Sequence, residues 1–547
     1  IEGFNALLRN ILGRVVAING LAPAWVVEGQ ATMQETWHTP AGRGRASIPD
    51  MIKRTAVLSE QIPPLGTMDG FITSNPGGNL RYLFGQDFMN FIAQEYGDTV
   101  WTEWNHNYGG GIPYLLPSKK TFGKRFPALY DEWVVSMQER YTEQQAQIEA
   151  IGLSSYQYIS PDGLNCVGAT YAPDGSKAVY SCYSLTEGSS IYISTDQGTE
   201  LHEEIPGVFG RYFGWRPDGT AFAYSASRRV NRFNLYSDVY LRTIGSHTKS
   251  LTSGKRARDP EFRSDGQQLL LVTNAVQNNQ LNVLSIDQSL TPLTENTDHT
   301  QYSTPRYSPD GRWIVVSKWK NGQRDLWILD SQGTPLRQLT DDKALDTDPR
   351  WSADGKRIYF SSDRSGVFNI YAIDLEKERL YQVTNLLTGG FYPSISPDQS
   401  TLLFSLYEAE GYRIVRMELE TDQWLDRGSL QQDDNALTTF LPTEELQIPS
   451  ATSWNAPTKE YSWWQFQQKK ESKQDSGTQL ETEALRYEGL TGIGAASDFL
   501  VRKGDYLGLP HQTRVVSRPV AANPFLNMRV HLLSGAQFLP RLGAFLL

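Results

Sequence analysis

Two glutamates near the start of the chain are the first residues whose type and setting could do chemistry. Glu28 follows the apolar run Trp25-Val26-Val27, and Glu35 lies seven residues on, about two helical turns, so one helix face would carry both. A carboxylate beside an apolar opening must be paired, hydrogen-bonded or metal-bound once it is buried. The plainer alternative is an acidic helix start that suits the helix dipole, and the residues alone favour it. Tyr82, in Arg81-Tyr82-Leu83-Phe84-Gly85, offers a phenol that could donate a hydrogen bond to an oxyanion, or pack as an aromatic at a helix entry. The seven histidines are His38, His106, His202, His247, His299, His511 and His531, and none stands in a His-Glu-x-x-His setting. Metal-assisted hydrolysis of that type needs two histidines one turn apart with a general-base glutamate between them. His38 and His106 have no partner at metal spacing and read as surface or core histidines.

Helices must position these groups. Phe126, Leu129, Trp133, Met137 and Tyr141 recur at helical spacing, followed by a polar stretch to Glu149. Gly85 to Tyr96 reads as another helix, with Phe88, Phe91 and Ile92 inward and Gly97 as its C-cap. Pro63-Pro64, Asn75-Pro76-Gly77-Gly78 and Gly109 to Pro113 punctuate the segment as loops. Residues 1–150 therefore form a mainly α domain.

The stretch Trp25-Val26-Val27-Glu28-Gly29-Gln30-Ala31 resembles the Trp-x-x-Glu-Gly-x-Ala motif of the thermolysin-like zinc peptidases called gluzincins. The resemblance implies that Glu28 is the third zinc ligand, downstream of a His-Glu-x-x-His helix. Tyr82 to Gly85 resembles the family's Tyr-x-x-Gly element, which implies that Tyr82 stabilises the tetrahedral intermediate. More narrowly, residues 1 to about 145 resemble the peptidase-like domain that some bacterial envelope proteins carry ahead of a TolB-like propeller. The residues that carry this are Leu8 to Arg14, Gly42-Arg43-Gly44-Arg45, Gly77-Gly78-Asn79, Phe122-Gly123-Lys124 and Leu129 to Trp133. The departure is the missing His-Glu-x-x-His. With 27 residues before Glu28, the expectation is that the chain begins just after that helix; the alternative is a degenerate, non-catalytic domain. Zinc is thus expected in the complete protein, with an incomplete site here, and the chain as it stands should not hydrolyse peptides.

A six-fold echo fills the middle of the chain. Tyr171 to Gly175, Trp215 to Gly219, Phe262 to Gly266, Tyr307 to Gly311, Trp351 to Gly355 and Ile395 to Gln399 repeat one phrase, an aromatic or apolar residue leading into an Asp-Gly turn. Their aspartates, Asp174, Asp218, Asp265, Asp310, Asp354 and Asp398, are 44, 47, 45, 44 and 44 residues apart. A fixed period in the forties with several short strands per unit marks propeller blades, which must stack to bury their apolar faces. A Leu-Thr pair closes the outer strand at Leu251-Thr252, Leu293-Thr294 and Leu339-Thr340. The phrase resembles the repeat of TolB-like six-bladed propellers and places one over residues 155–430. Each Asp is structural, because a binding site needs residues that differ between blades. Asp346, Asp348, Arg228-Arg229 and Gln277 to Gln280 read as solvated loop residues.

The net charge of −10 argues against a nucleic-acid partner. No run of about eighteen apolar residues marks a transmembrane helix. Cys166 and Cys182 lie eight residues either side of Asp174 and either face each other across a hairpin or sit as two reduced, buried residues. Residues 431–547 lose the repeat. Lys469 to Gly477 is polar, Tyr461 to Trp464 is aromatic, and Asp505 to Gly508 could be a trace of an outer-membrane barrel. The tail is a truncated barrel start or an irregular segment. The fold class is multidomain: a mainly α domain, an all-β six-bladed propeller and a poorly defined tail. Two functions follow from the resemblance. One is a zinc metallopeptidase-like protein of the bacterial periplasm or outer membrane; the other is a non-catalytic envelope scaffold binding protein or peptide partners.

Overall fold

The computed structural model describes residues 22–39, 42–69, 75–108 and 116–429, apart from 185, 187, 196, 197, 199, 231, 232, 276, 277 and 286. The tail motifs, Leu8 to Arg14, Gly109 to Pro113, Gln277, His511 and His531 lie outside them. Among the described residues, six α-helices form the N-terminal body: α1 Ala24–His38, α2 Ser47–Leu58, α3 Leu80–Tyr96, α4 Val100–Tyr108, α5 Leu116–Phe122 and α6 Phe126–Glu149. All five residues of the apolar face read from the sequence of α6 are buried, in one core with Trp25, Phe84, Phe88, Trp101 and Trp104. Gly97 closes α3 at φ 94°, its N–H donating to the Ala93 carbonyl at 2.8 Å. The helix starts five residues earlier than the sequence suggests, at Leu80, so Tyr82 stands in its first turn and Gly85 inside it.

Gly85 is in the helix interior because α1 crosses α3 there. A Cβ on Gly29 would lie 2.6 Å from the Gly85 carbonyl carbon, and one on Gly85 would lie 2.7 Å from the Trp25 carbonyl oxygen. Only glycine at both positions lets the two backbones touch. A second wedge follows: Cβ atoms on Gly42 and Gly44 would strike Thr36, and on Gly44 also Gln86, so the Arg43–Arg45 turn packs directly against both helices.

Six antiparallel sheets follow. Their innermost strands are Asn165–Tyr171, Arg211–Trp215, Ala257–Phe262, Gln301–Tyr307, Thr347–Trp351 and Gly390–Ile395, and each neighbours the next in a closed ring. Each Asp of the repeated turn accepts the N–H of the residue two positions on, at 2.9–3.1 Å. Five turns place glycine next at φ 69–73°; the sixth puts Gln399 there at φ 61°. The closing threonines act alike. Thr252, Thr294, Thr340 and Thr384 accept through Oγ1 from the N–H of Val239, Leu281, Leu326 and Ile370 at 2.8–3.0 Å. Cys166 and Cys182 are direct cross-strand partners and are joined as a disulfide.

The ring closes with a strand from the other end of the chain. Gln157–Tyr158 is the outermost strand of the sixth blade, antiparallel to Gly411–Glu418. The fifth blade gains an extra outer strand, Leu425–Ser429. The helical body sits on blades five and six through α2. Arg54 is fully buried and donates to the carbonyls of Leu387 and Thr388 at 2.8 and 2.7 Å. Ile48, Met51 and Ile52 share an apolar cluster with Phe368, Phe391 and Tyr407. Asn385 donates to the carbonyls of Ile148 and Gly152, both at 2.9 Å, tying down the end of α6. Among the described residues, no helix is long and apolar enough to cross a membrane.

Candidate functional site

The glycine crossing of α1 and α3 brings together the two residues that the sequence singled out. Glu28 and Tyr82 are both half-buried and lie close enough for the carboxylate to act on the phenol. Burial first and Glu28 second raise the Tyr82 pKa above its ordinary value, so the phenol keeps its proton. The Arg43 guanidinium lies over the Tyr82 ring, 5.2 Å from its centre. Glu35 holds Arg43 in place, accepting from Nη2 at 2.7 Å, from Nε at 3.0 Å and from the Arg43 backbone N–H at 3.2 Å. The second glutamate of the face is therefore an anchor for Arg43. Sequence reasoning missed Arg43 as part of the site, although the Gly42-Arg43-Gly44 spacing was its signal.

What the pair can do is limited by its neighbours. A carboxylate and a neutral phenol can orient a polar group or hold a proton between them, but a zinc centre needs at least three converging ligands. Among the described residues, no further histidine, cysteine or carboxylate joins Glu28 in a metal-sized group. His38 bonds Gln34 at 2.8 Å, and His106 is exposed on α4. Of the ligands a zinc site needs, the described residues offer Glu28 alone in this region.

Acidic side chains do converge in the propeller, at Asp325, Asp342 and Asp346. Arg364 occupies that group, with Nη2 on both Asp346 oxygens at 2.9 and 2.8 Å and Nη1 3.1 Å from Asp342. This corrects the sequence reading of Asp346 and Asp348 as solvated loop acids. Asp346 is fully enclosed, and Asp348 is buried on the innermost strand of blade five. Asn279 is likewise buried, its side chain bonding both the N–H and the carbonyl of Tyr302. Arg228 and Arg229 are exposed, but they lie on a strand, Ala221–Val230, that extends past its inner neighbour.

Comparison with known proteins concerns the propeller. Residues 260–438 match the family model described as the TolB beta propeller domain. A curated relative, an uncharacterised protein of Agrobacterium fabrum, is 25% identical over 173 residues, covering 31% of this chain and 42% of the relative. The chain thus spans about two fifths of that relative. Among solved structures, TolB of Acinetobacter baumannii is 18% identical with a TM-score of 0.35, covering 52% of this chain and 70% of that one. A TolB assignment from Agrobacterium tumefaciens is 19% identical with a TM-score of 0.37, covering 48% of this chain and 94% of that one. With six closed blades, a recurring Asp turn and a family match over the third to sixth of them, the chain carries a TolB-like six-bladed β-propeller behind a helical body.

Proposed function

We propose that this protein is a peptidase-type envelope protein in which the helical body holds part of a peptide-hydrolysing centre and the propeller holds a polypeptide beside it. The observation that carries the proposal is the meeting of Glu28 and Tyr82 across a crossing that only glycines at 29 and 85 allow. Both residues belong to stretches that resemble gluzincin motifs.

Zinc and its histidines would have to be completed by residues outside those described. Within this chain, Tyr82 is suited to donate a hydrogen bond at a developing oxyanion, because its proton is retained well above neutral pH. The test uses the full-length natural protein. Metal content by mass spectrometry should read about one zinc per chain, lost in Glu28→Ala. Cleavage of a quenched fluorescent peptide should fall roughly 10²-fold in kcat, with little change in KM, for Tyr82→Phe. A metal-free protein that is indifferent to both substitutions would sink the proposal.

A second reading, a non-catalytic scaffold for protein or peptide partners, is favoured by one observation. Glu28 keeps the Tyr82 phenol protonated and Arg43 lies over its ring, so both residues of the pair have protein neighbours in place without a metal. On that reading, Glu28→Ala binds no less metal than the wild type, and its effect appears in stability alone.

A further inference from the structure

The propeller axis carries a second cluster of charge that the Glu28 region does not involve. Each innermost strand breaks register at the same place: Val167/Thr170, Arg211/Gly214, Arg258/Glu261, Ser303/Arg306, Thr347/Arg350 and Phe391/Ser394. One residue of each bulge takes a positive φ: Gly168 at 75°, Tyr212 at 54°, Asp259 at 58°, Thr304 at 48°, Asp348 at 56° and Tyr392 at 56°. Glycine does this at no steric cost; the other five are strained, and strained bulges re-aim side chains at functional places.

These side chains turn to one shared space. Tyr212 and Tyr392 meet edge to face, with ring centres 5.9 Å apart. Asp259 accepts the Thr304 N–H at 2.9 Å, and Tyr212 senses both Asp259 and Asp348 electrostatically. Two residues further along the strands, Glu261 accepts from Arg350 at 3.3 Å and pairs with Arg306 at 3.6 Å. Arg350 also reaches Thr170 at 3.4 Å, so this layer crosses the axis from blade five to blade one.

The ring is short of negative charge. Four guanidiniums (Arg258, Arg306, Arg324, Arg350) face three carboxyl groups (Asp259, Glu261, Asp348), so the cations outnumber the acids by one (4 − 3). Glu261 is shared by two arginines, and Asp259 pairs with Arg258 through Oδ2. Arg324 bonds only the hydroxyls of Ser303 and Ser317, at 2.7 and 3.4 Å, with no carboxylate in ion-pair range among the described residues. Asp348 Oδ2, Asp259 Oδ1 and Thr304 Oγ1 are buried without a hydrogen-bond partner, on side chains only 7%, 0% and 2% exposed. A buried charge without a counter-charge is costly, and unpaired polar atoms around it call for an occupant.

We propose that the bulge ring binds an oxyanion, a carboxylate or phosphate group, with the Arg324 fork as its anchor and the Thr304 hydroxyl as a second donor. The planar guanidinium matches a two-oxygen anion. In its neutral form, which burial favours, Asp348 would supply a further donor. A cation lodged between the two open carboxylate oxygens is the competing occupant, and the four surrounding arginines, Arg258, Arg306, Arg324 and Arg350, oppose it.

The experiment is calorimetric titration of the full chain with inorganic phosphate, trialanine, trialanine amide and calcium. Binding of phosphate or of the free-acid peptide, weakened at least tenfold in Arg324→Gln, supports the site. Phosphate alone identifies a free or headgroup phosphate as the source, whereas trialanine binding without its amide identifies a polypeptide terminus. Asp348→Asn preserves volume and serves if Arg324→Gln does not fold: an anion site is kept or tightened severalfold, a cation site is lost. Absence of heat with either anion, binding unchanged in Arg324→Gln, or calcium binding that Asp348→Asn abolishes overturns the proposal.

Discussion

Asp348 shows how far a single residue departs from its sequence appearance. Burial first, with Asp259 as a like-charged neighbour against the opposing Arg306, pushes its pKa up to about 7. Burial does the same at Asp325, to about 7 with Asp346 adding, and at Asp363, to about 6 beneath the Ser47 hydroxyl. A carboxyl whose folded pKa exceeds its unfolded value near 4 stabilises the fold below that value, and the benefit is lost as pH rises through the folded pKa. Thermal midpoints should therefore fall between pH 5 and 8. Asp348→Asn should remove part of that slope, on the order of 2 kcal/mol across the range. Calorimetry of both proteins at four pH values decides it, and parallel curves would refute the assignment. Asp87 runs the other way. Burial alone would raise it, but Lys53 at 2.6 Å and then Arg140 hold it far below the usual range, so its contribution disappears only under acid conditions. None of this was legible in the sequence, because burial of Asp348 depends on strands of other blades, and burial of Asp87 on Lys53 and Arg140 from other helices, which no local pattern joins.

At the scale of elements, the crossing of α1 and α3 is the feature on which the candidate site depends. The sequence showed both motif stretches and the amphipathic core of α6, but it misplaced the start of α3. A glycine inside a helical pattern looks like a boundary, whereas its reason here is a contact with another helix. Adding one methyl at Gly29 or Gly85 must push backbone against backbone, which costs about 1–3 kcal/mol by overpacking. Gly29→Ala and Gly85→Ala should each lower the unfolding free energy by that amount and move Glu28 away from Tyr82. Tyr82 should then titrate nearer its ordinary pKa in ultraviolet difference spectra, while an unchanged Tyr82 titration would show that the crossing does not hold the pair. The Asp turns were fully legible because each is local: residue, capped amide and positive-φ glycine lie within three positions. Asp310→Ala should cost about 1 kcal/mol, like the loss of a helix cap, and a silent substitution would contradict the capping role.

The whole molecule is held by connections that no repeat announces. Periodicity showed six blades because each encodes its own turn, yet the strand that closes the ring, Gln157–Tyr158, carries no trace of the phrase and was invisible as a strand. Its role follows from topology. The backbone pairs Gln157–Arg416 and Tyr158–Val415, with the Ile159 N–H on the Ile414 carbonyl at 3.0 Å, tie residues more than 250 positions apart. The helical body adds a second tie through Arg54, Met51 and Asn385, but it lies on the blades rather than within a sheet. Two truncated chains separate these contributions. One beginning at residue 155 loses the helical body and keeps the closing strand; one beginning at residue 161 loses both. The first should still melt as one cooperative unit, although it exposes Phe368, Phe391 and Tyr407 and should be less soluble. The second leaves the Gly411–Glu418 edge unpaired in a ring whose ends no longer interlock, so it should melt at least 10 °C lower, or over a broad, non-cooperative range. Equal melting of the two would place the closure in side-chain packing between blades one and six rather than in the shared sheet.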